Sequence, residues 1–240
     1  MNLSEKNRKN IISRWNKFHQ KTIDFIEQNK HKNLHLLARI CGYLAGDGNI
    51  LVSNGKTCFH NTIRFFPDCV SLIDSFSEAL LLVYDKAPKI KKYENYYFIT
   101  LDSKPVVEDL ISYGKFGTLD WEIPSFVLEK DEFKIEWIKA FFDCEAHVTE
   151  KQIMVKSVNS FGLARISDTL NGFGISNRIY AYQPKNPNWN KVHCLVIYRK
   201  GARHKYFNVI GFNHTKKLKK LGKSLNLAPR SRNLVSHKTS

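Results

Sequence analysis

The chain's 240 residues can bury a sizeable core without disulfides, as one large domain or two small fused ones. Charged residues are an average 25%, but 38 Lys and Arg against 22 Asp and Glu leave a formal net charge of +16, so the bias lies in sign. With 42% apolar and 12% aromatic residues this is neither a disordered tail nor a histone-like polycation, and the longest wholly apolar stretch, around 79–84, is far short of the ~20 residues that span a bilayer.

The opening run Met1-Asn2-Leu3-Ser4-Glu5-Lys6 has no apolar segment, so no secretory signal is expected. The expectation is an intracellular protein, cytoplasmic or organellar, with no membrane partner. Five cysteines (Cys41, Cys58, Cys69, Cys144, Cys194) are scattered without a CxxC pair, which reads as free thiols in a reducing compartment. His31 and His35 stand four apart but lack a third ligand, and no zinc site is assigned. A surplus of +16 on a folded chain is the electrostatic footprint of a polyanion binder. Half of it falls in 214–240, where Lys216, Lys217, Lys219, Lys220, Lys223, Arg230, Arg232 and Lys238 occur with no acid.

In chain order, 9–29 places Ile11, Trp15, Phe18, Thr22 and Phe25 at helical spacing, with Lys9, Arg14, Lys17 and Lys21 between them: an amphipathic leading helix. A second helix is predicted over 34–47, with the small residues Ala38, Gly42 and Gly46 four apart on one face. Glycine inside a helix costs about 1 kcal/mol against alanine, so such a row points to a backbone that must approach closely. The period then changes to two. Over 58–65, Cys58, His60, Thr62 and Arg64 fall on one face of a strand and Phe59, Asn61, Ile63 and Phe65 on the other. Asp68 is the predicted N-cap of a helix over 70–84. Strands at 89–93 and 96–102 and a helix at 105–113 complete the series.

The order then repeats: helix 134–145, strands within 147–158, helix 162–171, strands 175–182 and 192–199, and a closing helix 203–210. The joint is Gly117-Thr118-Leu119-Asp120-Trp121-Glu122-Ile123-Pro124. The expected fold is a mixed α/β (α+β) chain, a tandem duplication of αββαββα with pseudo-two-fold symmetry and two saddle-forming antiparallel sheets. It divides into a basic amphipathic extension (1–33), a first repeat (34–117), a second repeat (118–213) and a basic tail (214–240).

Both halves open with a helix that ends in a small residue, an acid and another small residue. The first reads Ile40-Cys41-Gly42-Tyr43-Leu44-Ala45-Gly46-Asp47-Gly48 and the second Ile138-Lys139-Ala140-Phe141-Phe142-Asp143-Cys144-Glu145-Ala146. Aligned, Gly42 meets Ala140, Gly46 meets Cys144, and Asp47 meets Glu145, 98 residues on. These nonamers, in this element order, resemble the LAGLIDADG homing endonucleases in their two-motif, single-chain form. The resemblance covers roughly 34–221. Ile123-Pro124 leading into Trp137-Ile138-Lys139-Ala140-Phe141-Phe142-Asp143, Val158-Asn159-Ser160 with Leu163, and Ile210-Gly211-Phe212-Asn213-His214-Thr215-Lys216-Lys217 look like further signatures. Ala45 departs from the family's usual first aspartate, which Asp143 keeps. Lys139, unusual on a packed helix face, is expected to point outward.

The resemblance implies a monomeric, site-specific, Mg²⁺-dependent DNA endonuclease. It would make a double-strand break in a long asymmetric target and so spread an intron or similar element. Asp47 and Glu145 would be the catalytic acids, and they would be the metal ligands together with Gly46 and Cys144. Asp68 and Asn159 match the polar position near the metal-bound water, and Lys115, Lys216 and Lys217 match the lysine that completes the site. Oxygen ligands, retained waters and substrate phosphates are the usual setting of Mg²⁺. DNA contacts are expected from the sheet faces, which fit the major groove: His60, Thr62 and Arg64 in the first half, Gln152, Lys156, Arg178, Tyr180 and Tyr182 in the second. Alternatives on the same fold are a maturase acting on its own intron RNA and a catalytically silent DNA-binding regulator.

Overall fold

The computed structural model describes residues 5–54 and 59–227. Cys58, Arg230, Arg232 and Lys238 lie outside the described residues, as do the side chains of Lys9, Ile11 and Phe59. The first half runs α1 (Glu5–Asn29), a 3₁₀ turn (Lys30–Asn33), α2 (Leu34–Ala45), β1 (Gly48–Asn54), β2 (Phe59–Phe65), α3 (Val70–Tyr84), β3 (Lys89–Lys92), β4 (Tyr97–Asp102) and α4 (Lys104–Ile111). After a linker with a 3₁₀ turn (Ser125–Glu129) come α5 (Asp131–Glu145), β5 (His147–Val148), β6 (Ile153–Ser157), α6 (Ser160–Gly172), β7 (Arg178–Tyr182), β8 (Val192–Ile197), α7 (Lys200–Val209) and α8 (Thr215–Ser224). The two sheets are four-stranded and antiparallel, ordered β1-β2-β4-β3 and β5-β6-β8-β7, the same path traced twice. This is the mixed α/β duplication that the element order implied.

α2 is apolar almost all round, a pattern that only a central helix can satisfy; from Leu36 to Ala45 every residue but Arg39 is buried. It packs along α5, and the inner faces of the two sheets and the helices behind them close over the pair. Period two decides what each strand contributes: Ile63 and Phe65 from the first sheet and Ile153, Val155, Leu195 and Ile197 from the second are buried. Tyr43, Phe65 and Phe76 interlock in one half, Phe142, Tyr206 and Phe212 in the other, and Trp121 of the linker packs on Trp137 and Phe141 of α5.

Four sequence expectations change here. The leading helix packs on α3 and α4 only through its C-terminal half: Thr22 and Ile26 are buried, while Trp15 and Phe18 are 59% and 56% exposed, because that end runs beyond the core. The stretch after residue 214 is not simply a tail. Leu218, Leu221 and Leu225 recur at helical spacing, and α8 buries Leu221 and Leu225 against α7. Lys139 does not point outward; with Arg39 of α2 it clasps half-buried Glu136, at 2.6 and 2.7 Å, tying the central helices. Asp68 does not cap α3, whose N-cap position is Cys69.

Candidate active site

The central helices meet through their small residues. A methyl group added at Gly42 would collide with the Trp137 carbonyl oxygen and stand 2.9 Å from Ala140 Cβ; one added at Gly46 would stand 2.5 Å from Cys144 Cβ. The residues that face one another, Gly42 with Ala140 and Gly46 with Cys144, are the pairs equated by the internal alignment. A two-fold axis between two helices requires that coincidence. It carries the C-terminal ends of both helices to one place, where Asp47 follows Gly46 and Glu145 ends α5.

Two carboxylates there are costly. Burial pushes the Glu145 carboxyl up to about 7, Asp47 adds to the rise, and Lys217 opposes it. Asp47 is exposed to solvent, yet the protein crowded around it raises its carboxyl too; Lys217 and the Cys144 thiol counteract, and Asp68 pushes the same way as burial. Both acids also lie at helix C-termini, the negative end of the backbone dipole. Among the described residues neither is in a salt bridge.

Lys217 is the nearest cation, and α8 puts it there. Its ammonium donates to the carbonyls of Asp143 (2.6 Å), Cys144 (2.8 Å) and Phe142 (3.4 Å), closing the end of α5. The turn before α8 is held by Asp143, buried to 1% exposure, whose carboxylate accepts the backbone N–H groups of His214 (2.9 Å) and Asn213 (3.2 Å). Burial lifts the Asp143 carboxyl to about 7 against the pull of those donors. The His214 ring is buried as well. Its Nδ1 accepts the Lys217 N–H (3.5 Å) as N-cap of α8, and its Nε2 lies 3.1 Å from Asp68 Oδ1.

Residues 132–211 match a family profile described as "LAGLIDADG-like domain". The match lies wholly within the second half of the chain. Across both halves the chain shares the fold of the homing endonuclease I-DmoI: the structure of I-DmoI in complex with DNA and Mn superposes with a TM-score of 0.59 at 18% identity, over 74% of this chain and 96% of that one. The homing endonuclease I-WcaI bound to its DNA recognition sequence gives 0.52 at 11% identity, over 85% and 92%. In sequence, 199 residues (79% of the chain) are 26% identical to part of the glutamine–fructose-6-phosphate aminotransferase of Methanocaldococcus jannaschii, of whose length this chain spans 17%.

The two central helices thus bring Asp47, Glu145, Gly46, Cys144 and Lys217 together. A cation fits between the acids: they are hard oxygen donors, Asp47 raises the proton affinity of Glu145, and among the described residues neither has a salt-bridge partner. Of the other two expected ligands, Cys144 already gives its carbonyl to Lys217. Among the described residues no group of three or more His, Cys, Asp or Glu is arranged to hold a metal, so backbone, water or phosphate oxygens would complete its shell. Lys216 points to solvent, and Lys115, 65% exposed, pairs with Asp120 at 3.5 Å on the linker. Asn159 is buried and fully used: it accepts the Gly162 N–H (2.9 Å) as N-cap of α6 and donates to the Trp121 carbonyl (2.7 Å). A cleft of about 390 Å³ opens beside Glu145, lined among others by Ala45, Gly46, Phe116, Trp121, Lys156 and Tyr182.

On the sheets the register sorts the remaining residues. His60, Thr62 and Arg64 oppose Ser53, Leu51 and Asn49, so they share the outer face of the first sheet; Thr62 is buried and donates to Asp102 at 2.7 Å. Lys156 opposes Cys194, which opposes Tyr180 in turn; Arg178 and Tyr182 flank it on the edge strand, and Gln152 reaches toward Met154 on the same face. The Lys156 ammonium lies 5.8 Å over the Tyr182 ring and Arg178 5.9 Å over Tyr198. Sequence reasoning gave His214 no role of its own, because its partners Asp68 and Asp143 are distant in the chain. The leucine spacing in 215–225 would have revealed α8 and favoured Lys217 over Lys216.

Proposed function

We propose that this chain is a site-specific DNA endonuclease in which Asp47 and Glu145 together bind divalent cations, Mg²⁺ being the expected one. The observation that carries the reading is the convergence of the two acids at the ends of the paired LAGLIDADG helices, where Asp47 raises the proton affinity of Glu145 and, among the described residues, no salt bridge neutralises either. The outer sheet faces support a polyanion partner. Among the described residues Arg64, Lys156 and Arg178 form no salt bridge, and Tyr180 and Tyr182 stand beside them, 46% and 42% exposed. Antiparallel ribbons of that kind enter the major groove, where each base pair presents a distinct pattern. The DNA complexes of I-DmoI and I-WcaI, which have this fold, point the same way.

When bound, such ions activate water and stabilise the attacking and leaving oxygens of a phosphodiester. The protein's part is positional. Asp47 and Glu145 straddle the pseudo-two-fold axis, so each serves one strand of a duplex whose own dyad lies over it. Lys217 keeps the end of α5 in register and leaves its charge beside the scissile phosphate. Because both repeats lie in one chain, a monomer holds the complete site, and unlike sheet faces suit a long asymmetric target. Double-strand cleavage at one such target, promoting the mobility of an intron or similar element, is the role this reading gives the protein.

The test is cleavage of a randomised duplex library in Mg²⁺ and in EDTA. Sequence-specific double-strand cuts that disappear with EDTA are expected; specific binding without cuts in any divalent metal would overturn the reading in favour of a DNA-binding regulator.

A further inference from the structure

Asp68 and His214 join the two halves of the molecule. Asp68 belongs to the first repeat, between β2 and α3, two residues beyond Phe66, whose backbone N–H donates to the Asp47 carbonyl at 3.1 Å; its carboxylate is 61% exposed and raises the proton affinity of Asp47. His214 belongs to the turn after the second repeat, and its ring is almost fully buried. Nδ1 accepts the Lys217 N–H, so the ring proton is on Nε2, which donates to Asp68 Oδ1 at 3.1 Å. The backbone N–H of His214 is fixed in turn by buried Asp143 at 2.9 Å. A rigid line therefore runs from the core of the second motif, through one imidazole, to an exposed carboxylate beside the first motif's acid.

Among the described residues the second half has no counterpart to this pair. At the corresponding turn Val158 is apolar, and both ends of the Asn159 carboxamide are spent on Trp121 and Gly162. The loop after α4 offers Lys115, which pairs with Asp120, and no histidine.

We propose that His214 is a positioning residue that holds Asp68 beside Asp47, so that one of the two strand-cutting centres has a second fixed carboxylate and the other has none. Asp68 accepts a hydrogen bond from water at the Asp47 end and orients it; the Glu145 end works without such a group. This rests on the endonuclease reading and adds to it that the two centres are chemically unequal, with the inequality set from the opposite half of the chain.

The experiment is strand-resolved cleavage of a target duplex labelled differently on its two strands. Asp68→Ala, at an exposed position, is expected to slow one strand at least tenfold and leave the other within twofold. His214→Asn keeps an N-cap acceptor near the place of Nδ1 but cannot reach Asp68, and should slow the same strand about as much. His214→Gln places an amide donor near Nε2 and should recover most of that loss. In the Asp68→Ala background His214→Asn should add nothing. The reverse pattern, with Asn active and Gln slow, would show that His214 matters only as the cap of α8 and would overturn the proposal. So would equal slowing of both strands, or an unchanged Asp68→Ala enzyme, each of which leaves the endonuclease reading standing. A wild-type protein that cuts no DNA would remove that reading and this inference with it.

Discussion

The ends of the paired central helices are equivalent by duplication and unequal in construction. At the second, Asp143 is buried and anchors the turn at Asn213 and His214, and the helix that follows delivers Lys217 to the carbonyls of α5. At the first, Ala45 occupies the position of Asp143, the loop after α4 is tied instead by Tyr113 to Asp109 (3.4 Å) and by Lys115 to Asp120 (3.5 Å), and the cleft beside Glu145 opens between Ala45, Phe116 and Trp121. At the first end, an exposed acid, Asp68, is held by His214 at 3.1 Å; among the described residues the second end has no matching pair. A duplicated fold needs its symmetry where the helices touch, at Gly42, Ala140, Gly46 and Cys144. Away from that seam, each half can acquire its own supporting residues.

Removing the anchor is the strongest way to break this comparison. Asp143→Ala leaves two buried backbone N–H groups without their acceptor, a loss of about 3 kcal/mol. For a chain of this size the thermal midpoint should fall by roughly 6–12 °C, with Lys217 released from α5. A midpoint within 2 °C of wild type, to the order of a surface change, would show that the turn does not depend on Asp143.

The seam is the next target. Gly42→Ala gains about 1 kcal/mol of helix propensity but drives a methyl group into the α5 backbone, and should be destabilising by about 2 kcal/mol overall. Gly172→Ala, at the end of α6 where an added Cβ meets nothing within 4 Å, should be neutral or stabilising by urea unfolding. Equal effects at the two glycines would contradict close packing on the axis.

The last expected effect is a pH dependence. Asp143 and Glu145 keep their protons up to about 7 in the folded chain, whereas their ordinary values are 3.8 and 4.5. Between those limits the folded state binds more protons than the unfolded state, so stability of the metal-free protein falls as pH rises from about 4.5 to 7. The acids held below their ordinary values, Asp68 and Glu136, act in the opposite sense at lower pH. Melting curves at pH 5 and 7.5 should show the decline, and Glu145→Gln should reduce it.

The pattern that predicted these features was local or periodic. The helix over 70–84 is found as Val70–Tyr84, and the alternation at His60–Phe65 places Ile63 and Phe65 inside as expected. The alignment of the two nonamers also anticipated which residues would touch across the axis, and the LAGLIDADG resemblance is borne out by the family match and the shared fold. What the pattern did not reveal depends on distant partners. Whether Trp15 and Phe18 are covered depends on how far the core extends beneath α1. The orientation of Lys139 is set by Glu136 and Arg39, and the use of Asn159 by Trp121. The charge of 214–227 hid its leucines, and with them the route by which Lys217 reaches α5. The line from Asp143 through His214 to Asp68 spans most of the chain and exists only once it is folded.

The central claim is that Asp47 and Glu145 act as one metal-dependent site. The most direct measurement compares wild type, Asp47→Asn and Glu145→Gln on the same target duplex in Mg²⁺, each variant first confirmed to be folded and to bind that duplex. Double-strand cleavage by wild type, with each variant slowed at least a hundredfold in making the complete break, is the predicted result. Full cleavage by either variant, with binding unchanged, would contradict it.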